Sequence, residues 1–353
     1  MTVACLKTEG YVDQEAMGKF LPSPSIQMPR VLLTSTSFLD TPGDHQRILK
    51  ETGWEIVTAR GPLNEKDTLA QVGEVDGYIC GDDAITAQVI TKALPRLKVI
   101  SKYGIGTDKI DIPAATAAGI PILYTPGVNH TTVAEHAFLL LLALERNFIF
   151  HTESTRTGGW KRKTGFELFG KTIGIVGLGR IGKEVAIRAK AFGIQVVGFG
   201  NHWDASFAQA HNIKRLQTVD ELLSTSDYVS LHTDLKPETH NLIRAQTLAK
   251  LKPGALIINC ARGEVVNSAD VAAALKSGKL RGYATDVLDQ EPPAADHPLI
   301  NLPNCIVTPH VASRTAESVE RQATCAVENL VKAFRGEKPE GIKNPEVTLA
   351  RHF

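Results

Sequence analysis

The sequence lacks the features on which an extracellular, membrane or nucleic-acid-binding reading would rest. Its five cysteines, Cys5, Cys80, Cys260, Cys305 and Cys325, are scattered over 353 residues with no C-x-x-C spacing. This argues against a disulfide framework or a cysteine zinc site and for free thiols in a reducing compartment. An excess of one charge is also missing. Lys+Arg 39 against Asp+Glu 38 leaves a formal net charge of +1, with no basic stripe and no acidic tail. Neither nucleic acid nor a membrane surface is therefore expected as a partner. The longest apolar run, Ala137 to Leu144, falls far short of the ~20 residues that cross a bilayer. Met1 to Gly10 shows no basic segment followed by an apolar run, so no secretory signal is read there. The expectation is a cytoplasmic protein that handles small molecules, long enough for two domains with a large buried core.

What the chain does have is organised around Lys171-Thr172-Ile173-Gly174-Ile175-Val176-Gly177-Leu178-Gly179-Arg180-Ile181-Gly182. Thr172 to Val176 reads as a short buried strand, and Lys183 to Phe192 carries helical periodicity. Between them the glycines fall at the spacing G-x-G-x-x-G. Strand, glycine turn and helix form the context that a dinucleotide pyrophosphate needs. Gly177 permits the tight turn, Gly179 lets the backbone approach the phosphates, and Gly182 lets the helix pack close to the strand. The helix N-terminus, with Arg180 and Ile181 in its first turn, offers N–H groups and a positive dipole to the anion.

Around this turn, strands and helices alternate. Apolar runs at Val31-Leu32-Leu33, 54–57, 78–80, 97–100 and 120–123 read as strands, with helical stretches at Gln46 to Glu51, Thr86 to Ala93 and Ile112 to Ala118. Further strands are read at Gln195 to Phe199, Tyr228 to Leu231, Ala255 to Asn259, Tyr283 to Val287 and Cys305 to Val307, and a last helix at Thr315 to Phe334. Such alternation predicts α/β architecture, with parallel sheets wrapped by helices. Pro-containing junctions near Thr125 and Thr308 bracket the dinucleotide unit, which reads as inserted into the first domain, the two crossings serving as hinges. The expected division is an arm over 1–28, a substrate domain over 29–124 and 309–340, a dinucleotide-binding domain over 125–308 and a tail over 341–353. Thr131 to Asn147 reads as a helix apolar on nearly every side, either a core element or an oligomer contact.

Three further segments follow the glycine turn: Asn259-Cys260-Ala261-Arg262-Gly263-Glu264, Asp286-Val287-Leu288-Asp289-Gln290-Glu291-Pro292 and Thr308-Pro309-His310. With Ser101 to Asp108 and Thr125 to His130, they make the chain resemble the D-isomer-specific 2-hydroxyacid dehydrogenase family, in its phosphoglycerate dehydrogenase-like branch, over about residues 30 to 340. The resemblance implies two doubly wound parallel-sheet domains, a flavodoxin-like substrate domain and an inserted Rossmann cofactor domain. It also implies NAD(P)-dependent interconversion of a D-2-hydroxy acid and its 2-oxo acid, and a homodimer formed through the helix after Thr131. Besides the glycine turn, it places Thr233, Cys260 and Asp286 at the cofactor.

The chemistry asks for the same residues. Moving a hydride between a nicotinamide and a 2-oxo carbon needs a cation to orient the substrate carboxylate and polarise the carbonyl. Arg262 offers a planar fork for this. A group of near-neutral pKa must exchange the alcohol proton, and His310 is the residue type that fits. A carboxylate beside that imidazole would favour its charged form and fix its tautomer, a part the resemblance gives to Glu291. His130, His136 and His232 read as core or supporting groups. For the substrate, the turn Gly104-Ile105-Gly106 exposes N–H groups that could cradle a carboxylate, with Lys102 and Tyr103 just before it.

Two departures from the family pattern bear on specificity. Where phosphoglycerate dehydrogenases carry an arginine after the third strand, this chain reads Cys80-Gly81-Asp82-Asp83. That acidic pair is expected to disfavour a phosphate and to suit a neutral, hydroxylated or amino-bearing tail. The strand Gln195 to Phe199 is commonly followed by an Asp that binds the ribose 2′-OH, but here by Gly200, Asn201, His202 and Trp203. The missing carboxylate favours NADP over NAD, and Asn201 and His202 could donate to a 2′-phosphate, yet no arginine follows in the sequence. The competing readings are a cofactor-gated binding protein, resembling the corepressors of the family, and a dehydrogenase with another hydride donor such as formate or phosphite.

Overall fold

The computed structural model describes residues 28–352, so the arm read over 1–28 lies, but for Met28, outside the described residues. The chain divides into two compact units, residues 1–126 with 320–353, and residues 127–319. The second crossing thus falls inside the closing helix Ala316–Phe334, past the Thr308-Pro309 junction.

Unit 1 is built on β1 (Arg30–Leu33), β2 (Glu55–Thr58), β3 (Gly77–Cys80), β4 (Val99–Lys102) and β5 (Ile122–Leu123), in the order β2-β1-β3-β4-β5 with every pairing parallel. This is the flavodoxin-like order. β3 and β4 are buried at every residue, as the central strands of a sheet covered on both faces must be. One layer of the core sets Val31, Leu33 and Ile79 against Ala323, Val327 and Leu330 of the closing helix. Residues 341–352, read as a tail, belong to this unit. Buried Asn344 accepts the N–H of Ile122 at 2.8 Å and donates to the carbonyl of Ile120 at 2.9 Å.

Unit 2 carries β6 (Thr172–Val176), β7 (Gln195–Phe199), β8 (Lys214–Arg215), β9 (Tyr228–Leu231), β10 (Ala255–Asn259), β11 (Leu280–Thr285) and β12 (Cys305–Val307). Their order, β12-β11-β10-β9-β6-β7-β8, reverses direction between β6 and β9, the doubly wound Rossmann arrangement with its switch point beside the glycine turn. β11 starts and ends earlier than the Tyr283 to Val287 reading. The two-residue edge strand β8, with both residues exposed, has no apolar signature to be read from.

The helix after the first junction runs His130–Glu145 and buries Val133, Ala134, Ala137, Phe138, Leu140 and Leu141, so most of its length is core. It ends on a fully buried carboxylate. Glu145 receives both nitrogens of the Arg281 fork at 2.7 Å, and the guanidinium lies 4.3 Å from the Phe166 ring. Leu139 on that helix, and Phe148, Ile149 and Phe150 just beyond it, are exposed.

Candidate active site

The glycine turn between β6 and the helix Arg180–Ala191 has the shape the spacing predicts. Gly177 sits at φ +93, and a Cβ there would lie 2.3 Å from the carbonyl oxygen of His232. At Gly182 a Cβ would lie 2.1 Å from the carbonyl of Gly177, so helix and turn touch. A Cβ on Gly179 would meet nothing within 4 Å, and the helix begins without a side-chain cap. Two glycines forced by contact and one facing open space at an uncapped helix start are what a pyrophosphate cradle requires. Arg180 is exposed there and Ile181 half-buried against the core.

His232 closes the floor of the turn. Its N–H donates to Val176 and its Nε2 pairs with Ser230 Oγ at 2.7 Å, while Nδ1 is sealed from solvent with no partner among the described residues. Burial pushes this imidazole down to about 4. Because the unfolded value is higher, about 6.5, the unfolded chain binds more protons between those limits. Stability is therefore expected to fall as pH drops from about 6.5 towards 4, with no contribution above that window. Urea midpoints measured across it should fall more steeply for the wild type than for His232→Gln; parallel lines would refute the assignment.

The three expected catalytic residues all lie in unit 2, on the loops after β10, β11 and β12. His310 Nδ1 donates to Glu291 Oε2 at 2.8 Å, and Glu291 Oε1 accepts the N–H of Leu288 at 2.9 Å. Nδ1 thus carries the proton facing the carboxylate. His310 adopts φ +53, a left-handed conformation costing roughly 1–2 kcal/mol for a residue with a Cβ. Asp286 holds it there. Its main-chain carbonyl accepts the His310 N–H at 2.8 Å, and its carboxylate accepts from Thr308 Oγ1 at 2.6 Å, Val311 N at 2.9 Å and Ala312 N at 2.7 Å. His136 Nε2 reaches Thr308 Oγ1 at 2.9 Å from the long helix. Asp286 was expected at the cofactor. In the structure its carboxylate is 1% exposed and accepts bonds that shape the His310 loop.

Arg262 follows β10, on a turn built by a fully buried asparagine. Asn259 accepts the Ala261 N–H at 3.0 Å and donates to the Arg262 carbonyl at 2.9 Å, and Arg262 itself donates to the Ala261 carbonyl at 2.7 Å. A Cβ on the next residue, Gly263, would sit 1.9 Å from the Leu288 main chain. The Arg262 turn and the Glu291 loop are therefore in backbone contact, which fixes their register. Neither Asn259 nor Gly263 was singled out by sequence reasoning, although both flank Arg262 in the motif. The Cys260 thiol is pushed well up by burial and by Asp286, which keeps it protonated. Thr233 is half-buried at the end of β9.

Beyond β7, Gly200 is half-buried and Asn201 and His202 are exposed. Asp204, the nearest following carboxylate, caps the helix Ala205–Ala210 through Phe207 N at 3.0 Å and is paired with Lys183 at 2.5 Å. The Lys183 bond holds it well below the usual carboxylate range.

In unit 1, Lys102 and Tyr103 are buried at the carboxyl end of β4. Lys102 Nζ donates to Asp82 Oδ1 and to the Gly81 carbonyl, both at 2.7 Å. The Gly104 N–H, expected to face a substrate, instead donates to Thr125 Oγ1 at 3.0 Å. The nest reduces to Ile105 and Gly106, whose N–H groups have no partner among the described residues. The acidic pair also divides. Asp83 is 1% exposed and accepts from Thr34 Oγ1, Leu63 N and Gly81 N, so only Asp82 presents its carboxylate.

Among the described residues no helix is long and apolar enough to cross a membrane, and no cluster of His, Cys, Asp and Glu could hold a metal. Comparison with known proteins agrees with the geometry. The D-isomer specific 2-hydroxyacid dehydrogenase NAD binding domain matches residues 138–312. A glyoxylate reductase of Thermofilum pendens is 40% identical over 299 residues, 82% of this chain and 87% of its own length. A D-3-phosphoglycerate dehydrogenase of Methanocaldococcus jannaschii is 38% identical over 304 residues, 85% of this chain, but the match spans only 57% of that protein. A crystal structure of a Thermus thermophilus protein, 39% identical, superposes with a TM-score of 0.80 over 89% of this chain and 99% of that one. Two doubly wound sheets, a formed dinucleotide turn and these relatives place the chain in the D-isomer-specific 2-hydroxyacid dehydrogenase family.

Proposed function

We propose that the protein interconverts a D-2-hydroxy acid and its 2-oxo acid with a nicotinamide dinucleotide, using His310 as acid/base, Glu291 as its partner and Arg262 to orient the substrate. The observation that carries this reading is the 2.8 Å pair between His310 Nδ1 and Glu291, on a loop whose left-handed histidine is held in place by Asp286. With Nδ1 on the carboxylate, Nε2 is the nitrogen that would serve the substrate oxygen. The glycine turn, with the N-terminus of its helix, would hold the pyrophosphate.

When bound, the dinucleotide supplies the hydride in reduction and accepts it in oxidation, at C4 of its nicotinamide. The Arg262 fork binds the substrate carboxylate through two parallel N–H···O bonds and so fixes the 2-oxo carbon. In reduction, protonated His310 gives its Nε2 proton to the carbonyl oxygen as C2 takes the hydride, leaving a D-2-hydroxy acid and a neutral imidazole that solvent reprotonates. In oxidation the same nitrogen removes the hydroxyl proton. Glu291 stabilises the imidazolium at each stage and keeps Nε2 pointing at the oxygen.

The substrate in this reading is not 3-phosphoglycerate. Asp82 neutralises Lys102 in the segment where a phosphate would need an unopposed cation, and no arginine stands there. Steady-state reduction of glyoxylate, hydroxypyruvate, longer sugar-derived 2-oxo acids and 3-phosphohydroxypyruvate tests the proposal. Turnover of at least one unphosphorylated acid is expected, with the phosphorylated one a poor substrate. Absence of turnover by folded protein with both NADH and NADPH would refute it.

A further inference from the structure

At the carboxyl end of β7 the adenosine ribose of a dinucleotide lying on the glycine turn would meet residue 200. A Cβ on Gly200 would point at Gly177 Cα and Leu178 N, 3.6 Å from each. Residue 200 therefore faces the turn, and as glycine it presents no carboxylate to the ribose 2′ position. The nearest acid downstream does not replace it, because Asp204 is held by Lys183, Ser206 and the Phe207 N–H. The charge that would repel a 2′-phosphate is absent at one position and neutralised at the other.

A cation stands there instead, and it comes from a part of the chain that reading forward from β7 does not reach. The edge strand β8 pairs in parallel with β7, setting Gly198 opposite Arg215. From that register the Arg215 side chain reaches the strand end. Nη2 donates to the Gly200 carbonyl at 3.4 Å, a long bond, and Cζ lies 5.3 Å from the Trp203 ring. The ring itself occupies the space a side chain at 198 would fill, since a Cβ there would come within 3.1 Å of it. Glycine at 198 thus admits the tryptophan, and the tryptophan supports the arginine. A guanidinium stacked on an aromatic face keeps its N–H edge available and loses little rotamer freedom when that edge binds an oxyanion. Asn201 and His202, both exposed on the same connection, supply further donors.

We infer that Arg215, supplied across the sheet edge and seated on Trp203, binds the 2′-phosphate of the adenosine ribose, so that the chain takes NADP(H) in preference to NAD(H). This rests on the dinucleotide reading above and adds the residue that decides between the two cofactors. The arginine that the sequence lacks after β7 is provided fifteen residues past Gly200 (215−200) by the neighbouring strand.

Calorimetric titration of the full chain with adenosine 2′,5′-bisphosphate and with adenosine 5′-monophosphate tests the inference without catalysis. Wild type is expected to bind the bisphosphate about tenfold tighter or more, as a charge-assisted phosphate contact warrants. Arg215→Ala should reduce that gap to about twofold and leave the monophosphate unchanged. Gly200→Asp, whose Cβ would sit at ordinary contact distance and at no positive φ, should weaken the bisphosphate alone. Equal affinity of wild type for the two nucleotides, or a gap that survives Arg215→Ala, would overturn the inference while leaving the dinucleotide reading in place. Failure of folded wild type to bind either nucleotide, NADH or NADPH would overturn both.

Discussion

Replacing His310 with glutamine is expected to lower kcat for 2-oxo acid reduction roughly 10²–10⁴-fold, the range for removing a positioned general acid. NADPH affinity should be retained and the KM of the 2-oxo acid should change little. The split follows from where the residue acts. In the proposed reaction the imidazole transfers a proton only in the transition state, whereas the carboxylate of the substrate is assigned to Arg262 and the pyrophosphate to the glycine turn. Arg262→Lys should show the other pattern, raising KM together with its loss of kcat, because a lysine cannot make two parallel bonds to a carboxylate. Glutamine at 310 with activity within about twofold of wild type would show that the proton passes elsewhere.

Arg281→Met is expected to cost about 3–5 kcal/mol of stability in unit 2, far more than most surface substitutions. Glu145 is 0% exposed and both its oxygens are bound to the Arg281 fork. Removing the fork leaves a buried carboxylate, beside the Tyr228 hydroxyl, that must stay charged without its cation or take up a proton. The apparent Tm should fall by roughly 10 °C, given about 2–4 °C per kcal/mol for a unit of this size. Adding Glu145→Met should recover most of the loss, since a buried ion pair replaced by apolar groups of similar volume is often neutral. A single variant that melts within about 2 °C of wild type would show that the pair contributes little. The pair joins the end of the long helix to β11, whose far end leads into Asp286 and the His310 loop. Its loss therefore removes a brace of the site as well as a contact.

The parts of the fold legible in the sequence are those that local chemistry decides. β6, β7, β9, β10 and β12 lie where the apolar runs place them, because most strands of a parallel sheet are covered on both faces and leave near-continuous hydrophobic stretches. The glycine turn was legible for a similar reason: Gly177 and Gly182 are required by close backbone neighbours, and Gly179 opens the space between them. What could not be read is what depends on side-chain direction and on approach across the sheet. Asp82 and Asp83 look alike in sequence, yet one pairs with Lys102 and the other is buried among Thr34, Leu63 and Gly81. That the Asp286 carboxylate turns onto the main chain after Thr308 is likewise invisible in the sequence. The Gly104 N–H meets Thr125 Oγ1, twenty-one residues later (125−104), a pairing that the sequence does not announce. Arg215 was hidden because β8 is two charged residues long and becomes a neighbour of Gly200 only once the edge strand has paired.

The most direct test of the central claim is to reduce an unphosphorylated 2-oxo acid, hydroxypyruvate for instance, with NADPH and resolve the product by chiral chromatography. In the proposed reaction Arg262 and His310 would fix the carboxylate and the carbonyl oxygen from the protein side, so that the hydride would arrive on one face of C2 only. The D-2-hydroxy acid alone is expected, formed at a rate that collapses in the His310→Gln protein. An L or racemic product, or turnover indifferent to residue 310, would contradict it.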